Sequence, residues 1–118
     1  MVRSKQAENK SNFLCKLSTL ADPSSKSFSI KKGRKKIEIF IVRKGDKVFA
    51  YEDVCPHAQA PLEWNKDEFL DKKKENIICA MHGAVFTIEE GQCVSGPCGS
   101  AALTPVQLEI IDGDVFYL

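Results

Sequence analysis

The sequence predicts an all-β protein, with an antiparallel barrel or sandwich as its base and a smaller lobe inserted between the strands. No segment of the 118 residues has the pattern of a long amphipathic helix. Short apolar and β-branched runs recur instead, separated by turn residues. Residues 54–100 are rich in Cys, Gly, Pro and charge, and their apolar runs are short. That middle stretch cannot bury much surface by itself, so we expect a bound metal to stabilise it.

The strands in the first half of the chain are expected at three places. Residues 13–17 form the expected first strand, and Cys15 within it is interpreted as a small core residue. Residues 37–42 are a β-branched and aromatic run. A turn at Gly45 then leads into a returning strand at 48–51. These segments predict the first hairpin of the base.

The last strands and the domain boundaries follow from the same reasoning. Apolar residues alternate with polar ones between 106 and 110, and Asp112-Gly113 turns the chain into the apolar run 115–118. We therefore expect residues 1–12 to be a flexible polar N-terminus and residues 13–118 to be a single domain. The inserted lobe is expected at about residues 54–100.

Charge and hydropathy predict neither a nucleic-acid partner nor a membrane partner. The net charge is +1, and no apolar run is long enough to span a bilayer. The polar N-terminal segment has no secretory signal pattern, so we expect a cytoplasmic protein that is monomeric or forms transient complexes. In that compartment five cysteines indicate metal ligands and free thiols rather than a disulfide framework.

The chain contains two runs of like charge. The basic run is Lys31, Lys32, Arg34, Lys35 and Lys36, and the acidic run is Glu63, Asp67, Glu68 and Asp71. We interpret each run as a solvated turn, with a docking patch as the alternative.

Two short motifs each combine one thiol with one imidazole. The first is Cys55-Pro56-His57, and the second is Cys79-Ala80-Met81-His82. They use the only two histidines of the chain. Two cysteines and two histidines in this order are the ligand set of a [2Fe–2S] centre with mixed ligands. A tetrahedral Cys₂His₂ zinc site is the alternative, although zinc fingers pair Cys with Cys and His with His.

The chain resembles the Rieske-type [2Fe–2S] ferredoxins from about residue 37 to its end. The motifs that carry the resemblance are the first pair followed by Ala58-Gln59-Ala60, the second pair followed by Gly83-Ala84-Val85-Phe86, then Gly91-Gln92-Cys93 and Gly96-Pro97. The resemblance implies a Rieske-like fold and one [2Fe–2S] cluster, held by Cys55, His57, Cys79 and His82 on two loops at the tip of a β domain. It also implies that the loop containing Ser95-Gly96-Pro97 covers the cluster and that both histidines form the electron exit.

The sequence departs from the respiratory Rieske proteins at several positions. Those proteins carry an extra cysteine in each ligand loop, and Ala60 and Met81 occupy the matching positions here. They also carry a serine and a tyrosine that donate hydrogen bonds to cluster sulfurs, where this chain has Ala84 and Phe86. Donors to sulfur stabilise the reduced state. We therefore expect a reduction potential near the low end of the Rieske range, roughly −150 mV.

Three further side chains near the motifs have two possible interpretations each. Cys93 and Cys98 flank the expected covering loop and are interpreted as reduced thiols, with a clamping disulfide as the alternative. Trp64 follows the first motif and is interpreted as a core residue, with a place on a docking face as the alternative.

The leading functional hypothesis is a soluble one-electron carrier. It would take electrons from a reductase and pass them to a terminal oxidoreductase such as an oxygenase, without being an enzyme on its own. Two alternatives stay open. The chain could be a small Rieske subunit of a larger oxidoreductase, or a redox-sensing partner in which Cys93 and Cys98 respond to the cluster.

Overall fold

The residues that the structure describes form three antiparallel sheets of three strands each. The structure is a computed structural model that describes residues 12–54, 62, 67–79, 83–96 and 101–118. The strands are β1 (Phe13–Lys16), β2 (Ser24–Lys32), β3 (Lys35–Lys44), β4 (Lys47–Glu52), β5 (Asn76–Ile78), β6 (Val85–Thr87), β7 (Cys93–Ser95), β8 (Leu108–Ile111) and β9 (Asp114–Tyr117), with one 3₁₀ turn at Leu17–Thr19. The strand orders are β1-β9-β8, β2-β3-β4 and β5-β6-β7. The predicted all-β antiparallel class is confirmed.

The sheet β2-β3-β4 lies between the other two, because successive side chains of β3 point to opposite faces. Phe40 and Val42 belong to a core cluster that also contains Phe86 of β6. Ile39 and Ile41 lie in clusters with residues of β9. All four β3 side chains are 0% exposed. The strand is therefore buried on both faces, with the base sheet β1-β9-β8 on one side and the lobe sheet β5-β6-β7 on the other.

The two hairpins expected from the sequence are present. Strand β3 pairs with β4 in antiparallel register from Ile39 opposite Glu52 to Lys44 opposite Lys47. Strands β8 and β9 form the C-terminal hairpin. The first strand is also confirmed, and its Cys15 is a buried core residue. The N-terminal segment 1–12 and Trp64 lie outside the described residues, apart from Asn12.

Strand β2 is not among the strands predicted from the sequence, although it is one of the two longest in the described residues. It pairs with β3 along its whole length, from Ser24 opposite Arg43 to Lys32 opposite Lys35. Only Phe28 and Ile30 are apolar among its residues. Because β2 is an edge strand, its many Ser and Lys side chains can remain at the surface while it pairs with β3 on one side.

The lobe is attached to the middle sheet through an aromatic stack. The rings of Phe69 and Phe40 are parallel, with centroids 4.2 Å apart and planes 7° apart. Ser25 of β2 adds polar contacts: its hydroxyl donates to the carbonyl oxygen of Asp67 at 2.7 Å and accepts from the Phe69 N–H at 3.2 Å. These contacts hold the described part of the lobe against β2 and β3.

We expect Phe69→Ala to lower the free energy of unfolding by about 3–5 kcal/mol, because the ring is completely buried and its loss leaves a cavity. Chemical denaturation of the folded protein measures this. Phe13→Ala is the matched control, since the Phe13 side chain is 43% exposed and meets Phe116 only edge-on. Equal losses for the two variants would contradict the role assigned to the stack.

The two charge runs have different roles in the structure. The basic run lies at the β2–β3 turn, and Lys31, Lys32, Arg34, Lys35 and Lys36 are all exposed, as expected for a solvated turn. The acidic run is partly structural, which corrects the interpretation of all its members as solvated. Asp67 Oδ1 accepts from the N–H and hydroxyl of Ser27, each at 2.8 Å. Asp71 Oδ1 accepts from the Glu75 N–H at 3.0 Å.

Within the described parts of the chain, no helix is long and apolar enough to cross a membrane.

Candidate metal centre

Cys79, the first member of the second candidate ligand pair, directly follows β5, and Ala84 directly precedes β6. Two backbone hydrogen bonds close the turn between them. The Cys79 N–H donates to the carbonyl oxygen of Ala84 at 2.8 Å, and the Gly83 N–H donates to the carbonyl oxygen of Cys79 at 2.9 Å. Cys79 is 0% exposed. Residues 80–82, with His82 among them, lie outside the described ranges. The structure thus presents Cys79 as a buried thiol at a fixed point of a closed turn.

Glycines at two positions shape this turn and the segment next to it. Gly83 has φ of 70°, in the left-handed region that disfavours other residues. Gly96, with φ of 94°, lies against the same turn: a Cβ there would be only 2.8 Å from Ala84 Cα and 3.2 Å from the Gly83 carbonyl oxygen. The chain after β7 therefore packs directly on the turn that carries Cys79. Pro97 lies beyond the described residues.

The first ligand pair, Cys55 and His57, lies outside the described residues, but the two ends of its segment are described. Strand β4 ends at Glu52, and the Asp53 N–H donates to the carbonyl oxygen of Glu38 at 2.9 Å. Asp53 Oδ1 accepts from the Leu62 N–H at 2.9 Å. Both ends of this segment are therefore fixed to the middle sheet and its core.

The surroundings of Cys79 fit a donor set of two thiols and two imidazoles. Cys79 is the one of the four candidate ligands that the structure describes. Where the structure describes the chain, no group of three or more His, Cys, Asp or Glu side chains is arranged to hold a metal. Cys79 is completely buried and is backed by the apolar side chains of its core cluster. A thiol in such surroundings suits a closed, water-excluding site for soft ligands. The ligand roles of Cys55, His57, Cys79 and His82 remain a prediction.

Cys93 is disulfide-bonded, which corrects the expectation of a reduced thiol there. Its N–H donates to the carbonyl oxygen of Ala101 at 3.2 Å, so the chain leaving β7 turns back within eight residues. A tight return of this kind can bring nearby cysteines into disulfide reach, and this local geometry outweighs the general rarity of disulfides in reducing compartments. Cys98, the partner considered from the sequence, lies outside the described residues.

A thiol titration tests the disulfide directly. A disulfide consumes two of the five cysteines, so we expect three reactive thiols per chain in protein that is denatured and stripped of metal without reductant. Prior reduction should raise the count to five. In the folded protein Cys15 should react slowly, because burial raises the pKa of its thiol. Five thiols before reduction would show that no disulfide had formed.

Tyr51 and Gly91 attach the β6–β7 turn to the middle sheet. Neither residue has a site role predicted from the sequence. The Tyr51 hydroxyl donates to the carbonyl oxygen of Ile88 at 2.7 Å. Burial, together with the nearby Glu89 and Glu90 carboxylates, raises the pKa of Tyr51 to about 12, so this donor keeps its proton at neutral pH. A Cβ on Gly91 would lie 2.7 Å from Tyr51 Cε1, and only glycine fits this close approach.

A family model described as the Rieske [2Fe-2S] domain matches residues 11–109. The match covers most of the chain, and the chain therefore belongs to the Rieske [2Fe–2S] domain family, with a [2Fe–2S] cluster as its cofactor. No curated protein sequence matches it.

Solved structures support the same fold. One similar chain comes from the complex of reduced oxygenase and oxidized ferredoxin in carbazole 1,9a-dioxygenase, with TM-score 0.69 and 24% identity over 90% of this chain and 99% of that one. The ferredoxin of carbazole 1,9a-dioxygenase from Nocardioides aromaticivorans IC177 gives TM-score 0.70 and 20% identity over 90% and 96% of the two chains. The Sphingomonas yanoikuyae B1 ferredoxin gives TM-score 0.66 and 23% identity over 89% and 94%. At these identities the similarity establishes the architecture.

Proposed function

We propose that this protein is a soluble one-electron carrier whose [2Fe–2S] cluster is held by Cys55, His57, Cys79 and His82. The observation that carries the proposal is Cys79, a completely buried cysteine in a closed turn of a Rieske domain. The other three ligands come from the motif spacing and from the family resemblance. When bound, such a cluster accepts and releases one electron at a time.

The chain's own residues have two tasks in this function. The hydrogen bonds between Cys79 and residues Gly83 and Ala84 fix the backbone at one ligand. The backbone of Gly96 packs closely against Ala84 of the same turn. A fixed ligand geometry reduces the structural rearrangement that accompanies a change of charge, and this favours rapid electron transfer.

The proposed donor is a reductase and the proposed acceptor is a terminal oxidoreductase such as an oxygenase. Support comes from structural neighbours that are ferredoxins of carbazole 1,9a-dioxygenase, one of them in complex with an oxygenase. In this proposal the protein is a component of an oxidoreductase system rather than an enzyme on its own, and it works in the cytoplasm as a monomer that forms transient complexes. Electron-transfer encounters of this type have small interfaces.

A stoichiometric electron-transfer assay tests the carrier function. Protein reduced with dithionite and then desalted under anaerobic conditions is mixed with oxidised cytochrome c as the electron acceptor. We expect one equivalent of cytochrome c to be reduced per chain, because the cluster stores one electron. Protein stripped of its cluster should reduce none. A yield of zero from the intact protein would contradict the carrier function.

A further inference from the structure

The β2–β3 hairpin ends in a concentration of positive charge. Residues 31–36 are all exposed, and five of the six are cations: Lys31, Lys32, Arg34, Lys35 and Lys36. We call residues 31–36 the basic tip. Without these five cations the net charge of the chain changes from +1 to −4. The basic tip is therefore a local positive surface on a chain whose other residues are net negative.

The strand register places like charges directly opposite each other in the basic tip. Lys31 pairs with Lys36, and Lys32 pairs with Lys35, at the last two positions before the turn. Like charges directly opposite each other destabilise an antiparallel pair. Arg34 adds a further cation within the turn. Solvation alone does not require this arrangement, because mixed charges would solvate the turn equally well. Proteins break such local rules mainly at functional sites.

Little of this charge is neutralised by the residues that the structure describes. Lys36 Nζ lies 3.8 Å from Glu38 Oε2, and both side chains are more than half exposed, so solvent screens the pair. Lys32 Nζ donates to a backbone oxygen of Leu118 at 2.7 Å. No ion pair among the described residues involves Lys31, Arg34 or Lys35.

The base of the basic tip is fixed to the core. Ile30 is 3% exposed and lies in a core cluster with Tyr117. The Tyr117 hydroxyl donates to the carbonyl oxygen of Lys31 at 3.4 Å. The cations therefore stand at a defined place on the surface rather than on an unattached loop.

We propose that the basic tip is the docking surface for an acidic surface of a redox protein partner. This inference rests on the proposed function as an electron carrier. Charge complementarity raises the association rate and orients the two proteins in weak encounters. The attraction acts over about 10 Å at an ionic strength near 0.1 M, so it guides the partner before contact.

The same observations favour a protein partner over the two other anionic classes. A nucleic acid or an anionic membrane presents negative charge over a wide area, which the net negative remainder of this chain would repel. The basic tip also has no aromatic side chain to stack on bases or to enter a lipid interface. A confined acidic patch on a protein matches a confined basic tip.

The experiment uses two forms of one electron acceptor and two double variants. Native cytochrome c is basic, and succinylation makes it acidic by replacing lysine ammonium groups with carboxylates. The test variant is Lys31→Gln with Lys35→Gln, which keeps one lysine of each opposed pair. The matched control is Lys26→Gln with Lys47→Gln, two exposed lysines outside the basic tip. Both variants change the net charge equally.

Rates of electron transfer from the reduced, cluster-loaded proteins are measured by stopped flow. At about 10 mM salt we expect the test variant to reduce succinylated cytochrome c roughly 3- to 10-fold more slowly than the wild type. This difference should vanish at about 0.5 M salt. The control variant should stay close to the wild type. With native cytochrome c the test variant should be no slower, because it has lost repulsive charges. Its thermal midpoint should not fall, since the like-charge pairs are relieved.

Binding to immobilised succinylated cytochrome c measures docking without electron transfer, and we expect the test variant alone to bind more weakly. Equal changes in the two double variants, in rate and in binding, would overturn the inference, because net charge alone would explain them. Wild-type binding to phosphatidylserine vesicles or duplex DNA that the test variant loses, with binding to succinylated cytochrome c unchanged, would also overturn it. A wild type that binds the acidic probe but transfers no electron to it would refute the carrier function instead, which separates the two failures.

Discussion

Cys79→Ala is expected to abolish assembly of the [2Fe–2S] cluster, so that iron and sulfide per chain fall close to zero and the visible absorption disappears. The thiolate sulfur is the atom that bonds to iron, and alanine offers no replacement ligand. The substitution is small in volume, so the completely buried site loses its chemistry with little change in packing. Because metal binding contributes to folding, the lobe should also become less stable.

Cys15→Ala is the matched control for this substitution. Cys15 is also a buried cysteine, 8% exposed, but it lies in the core cluster of the base sheet with Val115. We expect its variant to bind the cluster as the wild type does. Full iron and sulfide content in Cys79→Ala, or equal losses in both variants, would contradict the assignment of Cys79 as a ligand. The same assay applied to Cys55, His57 and His82 tests the three ligands that lie outside the described residues.

The second large effect is expected on the reduction potential. Phe86→Tyr should raise it, because the ring is completely buried beside the second ligand turn and carries no hydrogen-bond donor. A new hydroxyl that donates to a ligand sulfur stabilises the more negative, reduced state. If the donor favours the reduced state by about 1.4 kcal/mol, the potential of this one-electron couple rises by about 59 mV. Ala84→Ser, at the other buried position without a donor, should act in the same direction.

Spectroelectrochemical titration of the three proteins measures these shifts. Phe49→Tyr is the control, since Phe49 packs at the edge of the same core cluster from β4. It should leave the potential unchanged. The wild type itself should titrate near the low end of the Rieske range, roughly −150 mV. A wild-type potential near the top of that range, or no change in either variant, would show that the missing donors do not set the potential.

Several strands could be predicted because their own residues favour strand structure. The β-branched residues Ile37, Ile39 and Ile41 and the turn at Gly45 define the β3–β4 hairpin locally. Strand β2 lacks such a signal, since its apolar residues are few and its stability depends on pairing with β3. Propensity is a poor guide for an edge strand whose partner supplies most of the contacts.

The candidate site, like the fold, could be predicted only in part. The motif spacing identifies four candidate ligands, and the structure describes one of them, Cys79, in a fitting environment. The hydrogen bond between the Leu62 N–H and Asp53 Oδ1 could not be predicted, because it depends on a contact that only the packing of the lobe creates. The disulfide at Cys93 could not be predicted, because disulfides are rare in a reducing compartment and the return of the chain after β7 is visible only in the structure.

The central claim is tested most directly by iron and acid-labile sulfide assays on anaerobically purified protein, with an electron paramagnetic resonance spectrum of the reduced sample. The account predicts two irons and two sulfides per chain and a reduced-state signal whose average g value lies below that of an all-cysteine cluster. Zinc in place of iron, or a folded chain without metal, would contradict it and leave a β-sheet binding or structural module.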